Sequence, residues 1–479
     1  MKSVWEENIK FRERESLNGN INADVLVIGG GIAGILTAYI LKKKGINAVI
    51  IEADRICSGN TKNTTAKITS QHDIIYDYLI REFGFDKAIQ YAMANEEAIK
   101  KYKAIIEEED IQCDFKEVSS YIYSCDNDEE LQKELIAAKA LGIVASMVTE
   151  VEIPIKVKGA LRFKNQARFN PLAFLKVLSD DLTIYEHTRA LEIKDDVVVT
   201  DRGIIAAKAI VIATHYPIMN APGYYFLRMH QERSYVVEID NIPCPQGNYI
   251  GSGEVSYSFR TYNDSVLFGG NSHRTGKNEK GGQYESLIKA AKDIYPEGRI
   301  VRKWSAQDCM PIDKVPYIGQ YSKETPNIFV ATGFGKWGMT SSMVAADIIS
   351  DMIVGNKNRY ADIFAPDRFD LSASLKNMVT DGTETVKNFI GQRINMPEDK
   401  LADIDKGMGK IIEYEGKKLG AYKDEEGKVY FVSTKCPHLG CELKWNPEEL
   451  SWDCPCHGSR FDYMGKWIES PAIGDDKNG

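Results

Sequence analysis

No run of about 18 consecutive apolar residues occurs in the 479 positions, so no segment reads as a membrane-spanning helix. The opening stretch, MKSVWEENIKFRERESLNGN, is charged and lacks the apolar centre of a secretory signal, which makes the cytoplasm the expected compartment. Positive charge is short as well. Lys and Arg number 60 against 69 Asp and Glu, the net charge is -9, and no basic stripe stands out. Binding to nucleic-acid phosphates needs a concentrated positive surface, so no nucleic-acid partner is expected. Histidine is scarce: of seven, two fall in one C-terminal motif. The others form no compact pair with a carboxylate of the kind that holds a catalytic non-haem iron. The nine cysteines form no disulfide framework either, because Cys57, Cys113, Cys125, Cys244 and Cys309 are scattered, as buried small hydrophobes are. What is left, 43% hydrophobic and 27% charged, is an ordinary globular composition long enough for roughly two to four domains.

The remaining four cysteines sit in a patterned region. Cys436-Pro437-His438-Leu439-Gly440-Cys441 is followed by Cys454-Pro455-Cys456-His457-Gly458-Ser459. Each half sets a cysteine and a histidine two or three residues apart, giving the two thiolates and two imidazoles of a mixed Cys/His iron-sulfur cluster. Zinc also accepts four ligands of these types at short spacing, so the residues alone leave both metals open. Both halves resemble the cluster loops of Rieske-type [2Fe-2S] domains, the Pro, Gly and Ser positions included. That resemblance implies that Cys436 and Cys454 hold one iron and that His438 and His457 hold the other. It also implies a disulfide between Cys441 and Cys456, where respiratory and photosynthetic members tie their two loops together. Ser459 would then donate a hydrogen bond to a sulfur, and Phe461 stands where high-potential members have a tyrosine donor.

At the other end, the apolar run Ala23 to Ile28 reads as a buried parallel strand and leads into Gly29-Gly30-Gly31-Ile32-Ala33-Gly34, a helix, and a second strand, Ala48 to Ile51. Glu52 closes that strand. This is the dinucleotide fingerprint in its full context. Gly29 allows the tight turn, Gly31 lets backbone approach a pyrophosphate, Gly34 lets helix and strand close up, and Glu52 accepts from a ribose.

The rest of the chain to about residue 370 resembles the D-amino-acid-oxidase-like FAD superfamily, which includes glycine and sarcosine oxidases. The resemblance is carried by Pro316-Tyr317-Ile318-Gly319, by Asn327 to Thr332, and by Gly333-Phe334-Gly335-Lys336-Trp337-Gly338-Met339-Thr340 before an apolar-periodic helix. It implies that FAD is approached by Gly333, Gly335, Lys336, Trp337, Gly338, Met339 and Thr340, by Ala213 and Thr214 at the end of an inner strand, and by Thr61, Thr65 and Lys67 of the loop after Glu52. No lysine or histidine suited to covalent attachment appears, so FAD is expected to be noncovalent.

The expected architecture is α/β and α+β, a Rossmann-like FAD-binding domain with an interleaved β-rich substrate domain, followed by a small all-β Rieske domain. FAD-binding segments are placed at 22–85, 145–225 and 300–360, substrate-side segments at 86–144 and 226–299, a linker at 371–396 with a helix at 375–390, and the Rieske domain at 397–479. In the substrate-side runs, Asn263-Asp264 marks a hairpin turn. His230, within Met229-His230-Gln231, together with Tyr257, His273 and Arg274, are candidates for touching substrate, with Arg274 for a carboxylate. His215 reads as structural.

The superfamily implies a small amine or amino-acid substrate, and the cluster implies exchange of single electrons with an external carrier. Two other readings stand beside this: an oxygen-using oxidase with a structural or sensory cluster, and a redox sensor or scaffold without turnover. Because Phe461 removes one hydrogen bond that would stabilise reduced sulfur, redox titration is expected to give a midpoint below those of the tyrosine-bearing members. A midpoint among theirs would reject this.

Overall fold

The apolar run ending at Ile28 forms a strand, Ile21–Ile28 (β1), whose last four residues are buried, as a central parallel strand requires. A helix, Ile32–Lys43 (α1), and a second strand, Ala48–Ile51 (β2), follow. Gly29 sits at φ 112°, and a Cβ there would lie 2.5 Å from the Ala213 carbonyl oxygen. A Cβ on Gly34 would lie 2.0 Å from the Gly29 carbonyl oxygen, so helix and turn meet backbone to backbone. A computed structural model describes residues 2–7, 9–253, 256–368 and 399–472; the whole of the expected linker at 371–396, with the helix read at 375–390, lies outside the described residues.

β1 pairs in parallel with β2 and with Ile204–Ile212 (β3), and β3 pairs in parallel with Ile328–Thr332. The spatial order is 317–320, 328–332, β3, β1, β2, 183–185. Helix α1 and helix Gly338–Ile353 share the main apolar core on this sheet. The carboxyl ends of β1, β2 and β3 therefore converge on one crevice, where open α/β sheets bind ligands.

A second sheet of nine strands is built around Met229–Asp240 (β4), which alternates buried and half-buried positions over its first half. β4 lies antiparallel between Ser265–Arg274 and Arg299–Pro311 (β5), with helix Gln283–Ile294 (α2) between those two in sequence. The Asn263-Asp264 turn is present: Tyr262 pairs with Ser265, and Asn263 has φ 49°. The sheet also takes in Ala145–Val148 and Gly159–Arg168. The expected segment limits at 144 and 299 are thereby corrected, because β5 and the 145–168 strands follow their hydrogen-bond ladders into the second sheet.

The C-terminal domain is all β. It has a three-stranded sheet (408–414, 417–423, 429–433) and a four-stranded sheet (444–446, 451–453, 460–462, and Trp467–Glu469, β6). Its core packs Trp452 and Phe461 with Cys436, Cys441, Cys454 and Cys456. No described helix is long and apolar enough to cross a membrane.

Gly34→Val is expected to cost at least ~3 kcal/mol, because backbone has to move to admit the side chain. Gly59→Ala, with nothing within 4 Å and φ -84°, should change stability by less than ~0.5 kcal/mol. Urea unfolding midpoints of the two variants test the contrast.

Candidate active site and metal centre

A cavity of about 570 Å³ opens between the two large sheets, within the size range of cofactor and substrate sites. Gly29, Gly31, Glu52, Thr61 and Thr65 line it from the turns and loops around the first sheet, with Ala213 and Thr214 from the end of β3, and Lys67 lines it from an edge strand of the second sheet. Gly335, Lys336, Trp337, Gly338 and Met339 line it at the start of helix 338–353. Gly34, Gly333 and Thr340 sit behind this wall: a Cβ on Gly333 would lie 3.2 Å from the Met229 sulfur, and Thr340 donates to the Thr69 carbonyl at 3.1 Å.

The donor set suits an anionic dinucleotide. Gly31 has only the Thr61 hydroxyl near the space of its missing side chain, and that hydroxyl accepts from Ile32 N at the start of α1 (3.1 Å). Glu52 accepts from Gly30 N (2.7 Å) and Asp54 N (3.0 Å); burial raises its pKa while these amides oppose the rise. Lys67 reaches the Thr65 hydroxyl (3.0 Å), with no carboxylate within ion-pair distance among the described residues. Burial, then repulsion by Arg260, lowers its pKa to about 7, and an anion bound beside it would favour its charged form.

Three acids that single positions in the sequence did not signal stand nearby. Asp73 and Asp308 open onto the cavity, and the protein around them raises both pKa values, with Lys336 the strongest opposing charge. Glu232 sits 2.9 Å from Lys336 and 3.3 Å from His230. Burial pushes Glu232 up, but the His230 hydrogen bond and the Lys336 charge outweigh it and hold it at about 2. His72 also lacked a signal. It stacks on Trp337 (4.8 Å, 18°), contacts the Tyr91 hydroxyl at 2.7 Å, and is driven down to about 3 by burial.

The substrate candidates are placed differently from expectation. His230 lies behind Glu232 and reaches the cavity only through Lys336. His273 stacks on Tyr235 and meets its hydroxyl at 3.0 Å, away from the cavity lining. Tyr257 is also outside the lining; its carbonyl accepts from Tyr123. Arg274 is directed to the C-terminal domain, donating to the Cys456 carbonyl at 3.4 Å, because strand 265–274 runs past the cavity. His215 lines the cavity at φ 66°, with its carbonyl bonded to the Thr332 hydroxyl (2.6 Å).

In the C-terminal domain Cys441 and Cys456 form a disulfide. The sulfurs of Cys441, Cys454 and Cys456 lie within 4.8 Å of one another, but the disulfide takes two of the three out of ligation. The unbonded Cys436 and Cys454 are buried neighbours. The Cys436 hydrogen bond lowers the Cys454 pKa; burial opposes this, and the amides of His457, Cys456 and Gly458 favour the thiolate. His438 and His457 face each other at 5.0 Å and 89°, and Nδ1 of each is buried without a hydrogen-bond partner. The His438 Nε2 proton goes to Asn220 Oδ1 (2.6 Å), which leaves its Nδ1 lone pair bare. Two bare imidazole nitrogens and two thiols, one surrounded by amides, fit a mixed-ligand cluster. Ser459 assists the Cys436 thiolate, and Phe461 is fully buried.

The two sites share a wall. Gln231 and Gln307 are buried, line the cavity, and bond each other (2.8 Å). On their far side Gln231 donates to the carbonyls of His457 (2.7 Å) and Ser470 (2.9 Å), and Gln307 to that of Gly458 (2.9 Å). One layer of side chains thus stands between the cavity and the second cluster loop. Next to it Arg233 pairs with Glu449 and Glu469, while Arg460 pairs with Asp453 (2.9 Å) and Glu449 (3.1 Å). Burial raises the Glu449 pKa, but the two arginines overcome it and hold the group at about 2. Glu448 accepts from Gln283 N (2.9 Å) and Tyr284 N (3.2 Å), capping α2 from across the interface.

An FAD dependent oxidoreductase family model matches residues 24–352, and a Rieske [2Fe-2S] domain model matches residues 395–476. The chain is 40% identical to the Rieske 2Fe-2S iron-sulfur protein YhfW of Bacillus subtilis (strain 168), over 98% of this chain and 96% of that one. Gamma-glutamylputrescine oxidoreductase of Escherichia coli (strain K12) is 22% identical over 74% of this chain and 89% of its own. Glycine oxidase from Geobacillus kaustophilus shares the fold, with a TM-score of 0.63 at 18% identity, covering 73% of this chain and 99% of that one.

Arg233→Ala leaves Glu449 and the partly exposed Glu469 with one cation fewer and is expected to weaken the interface by up to ~3 kcal/mol. Small-angle scattering should show the small domain parting from the rest. In the unaltered protein the Glu449 contribution is full above pH 4.5, its ordinary value, and is lost as pH falls toward about 2.

Proposed function

The chain belongs to the FAD dependent oxidoreductase family and carries a Rieske [2Fe-2S] domain, and from that footing we propose that it oxidises a small amine or amino acid and delivers the electrons through the cluster to an external one-electron carrier. The observation that carries this reading is the shared wall: Gln231 and Gln307 touch the cavity on one side and the cluster loop on the other. Held in the cavity, FAD would supply the acceptor for a hydride from a substrate C–H bond, and a [2Fe-2S] centre held by the C-terminal loops would supply one-electron relay.

The residues suited to hold FAD noncovalently are Gly29, Gly31, Glu52, Thr61 and Lys67 at one end and Lys336 to Met339 at the other. Those suited to hold the cluster are Cys436 and Cys454 on one iron and His438 and His457 on the other. Bare Nδ1 atoms on both histidines support that assignment.

Asp73 and Asp308 favour a substrate with a cationic nitrogen, since each lies in the cavity without an ion-pair partner within 4 Å among the described residues. A carboxyl whose pKa is raised by burial can also accept a proton released as the amine is oxidised. The names of two relatives agree with this class: one acts on gamma-glutamylputrescine and one on glycine. Lys336, held by Glu232 and Ser272 (3.0 Å), supplies a fixed cation on the cavity wall in the role first expected of Arg274.

Anaerobic mixing of holoprotein with a panel of amines and amino acids is expected to bleach the flavin and then raise the paramagnetic resonance signal of the reduced cluster. Bleaching without that signal would defeat the relay. No bleaching by any panel member would defeat the substrate class. Cys454→Ser should abolish the cluster signal while the flavin still bleaches.

A further inference from the structure

Trp467, Ser470 and Ala472 of the C-terminal domain line the same cavity as Gly29 and Glu52. Contacts along this segment fix where it lies. The Trp467 ring sits 4.2 Å from the Arg189 guanidinium carbon, and Arg189 belongs to a cavity-lining loop, Thr188 to Ala190. That loop is tied to the loop after β2: Thr188 N donates to the Glu52 carbonyl and His187 N to the Asp54 carbonyl, both at 2.9 Å. Glu52 occupies the position that receives a ribose in a dinucleotide fold, so Trp467 stands at the nucleotide end of the crevice. Two residues on, Glu469 is paired with Arg233 (3.3 Å), and then the Ser470 carbonyl accepts from Gln231 (2.9 Å). Ala472 N donates to Ser459 Oγ at 3.0 Å, which anchors the end of the segment to the cluster loop. The segment therefore runs from the ribose end of the crevice to the cluster loop and is pinned along its length.

We propose that residues 467–472 are part of the FAD site: the Rieske domain closes the nucleotide end of the crevice, with the Trp467 indole as its aromatic wall. This rests on the reading of the cavity as the FAD site. An indole stacked over a guanidinium is a flat, rigid surface that adds apolar contact to a nucleotide without ordering a flexible chain. Because the same segment is held by Gln231 and Arg233, FAD cannot be covered without the domain being docked, nor leave freely while it is. Flavin retention and domain docking are thus one property.

The test uses full-length holoprotein and its W467A and W467F variants. FAD release is followed by recovery of flavin fluorescence on dilution, and the cluster is counted by paramagnetic resonance in the same samples. W467A is expected to release FAD at least ~10-fold faster, as loss of an aromatic contact to the nucleotide implies, with its cluster signal unchanged. W467F, which keeps a ring, should stay nearer the wild-type rate. Release from W467A at the wild-type rate would overturn the proposal. So would FAD loss confined to molecules that have also lost the cluster, or a phenylalanine variant as leaky as the alanine one. Wild-type protein that carries its cluster but neither contains nor takes up flavin would sink the underlying cavity reading, and this proposal with it.

Discussion

Burying an amide or a guanidinium without a partner costs more than most single contacts return, and this constraint governs how the two parts of the chain meet. Gln231, Gln307 and Arg233 are buried on the oxidoreductase side, and each finds acceptors on the Rieske side. Backbone carbonyls of His457 and Gly458 accept from the glutamines, so the second cluster loop is held by its main chain. Two glycines allow the approach: a Cβ on Gly458 would lie 2.7 Å from Gln231, and one on Gly276 would lie 2.7 Å from the Pro455 backbone. The position of the cluster relative to the cavity is therefore set by hydrogen-bond geometry.

Charge is divided between the two sites in a way that suits their tasks. The cavity gathers Asp73, Asp308, Glu232, Lys67 and Lys336, groups whose proton affinities are all shifted by burial and by one another. Around the metal loops the histidines are kept neutral: burial lowers His438 to about 4 and His457 to about 3. Neutral imidazole is the form that ligates. Proton chemistry and metal ligation thus occupy adjoining volumes without sharing a titrating side chain.

The glycine turn with Glu52 and the two cluster loops were legible in the sequence, because in each the chemistry is carried by residues a few positions apart. The hairpin at Asn263-Asp264 was legible for the same reason. Arg274 and His273 were misplaced because a polar strand end gives no sign of which neighbour it will meet, and strand 265–274 outruns the cavity toward Cys456. β5 was not read as a strand, since Arg299 to Pro311 mixes charged and apolar positions that make sense only beside β4. Asp73, Asp308 and His72 carried no local pattern; their roles come from the walls that fold around them. The reading of Met229-His230-Gln231 picked a stretch that does reach the cavity, but through Gln231 and not through its histidine.

The Arg233 pairing also bears on how the protein is made. Glu449 follows Arg233 by 216 residues, and Glu448 follows the α2 amides it caps by about 165. At ribosomal rates of roughly 5–20 residues per second, the oxidoreductase face waits roughly 10–40 s for the groups that complete it. Over that interval a nascent chain carries an uncapped helix and an unmatched guanidinium at what will become its most tightly bonded surface. The earlier-synthesised domain is finished by the later one, so a translation product interrupted between them would leave the ribosome with that face unsealed.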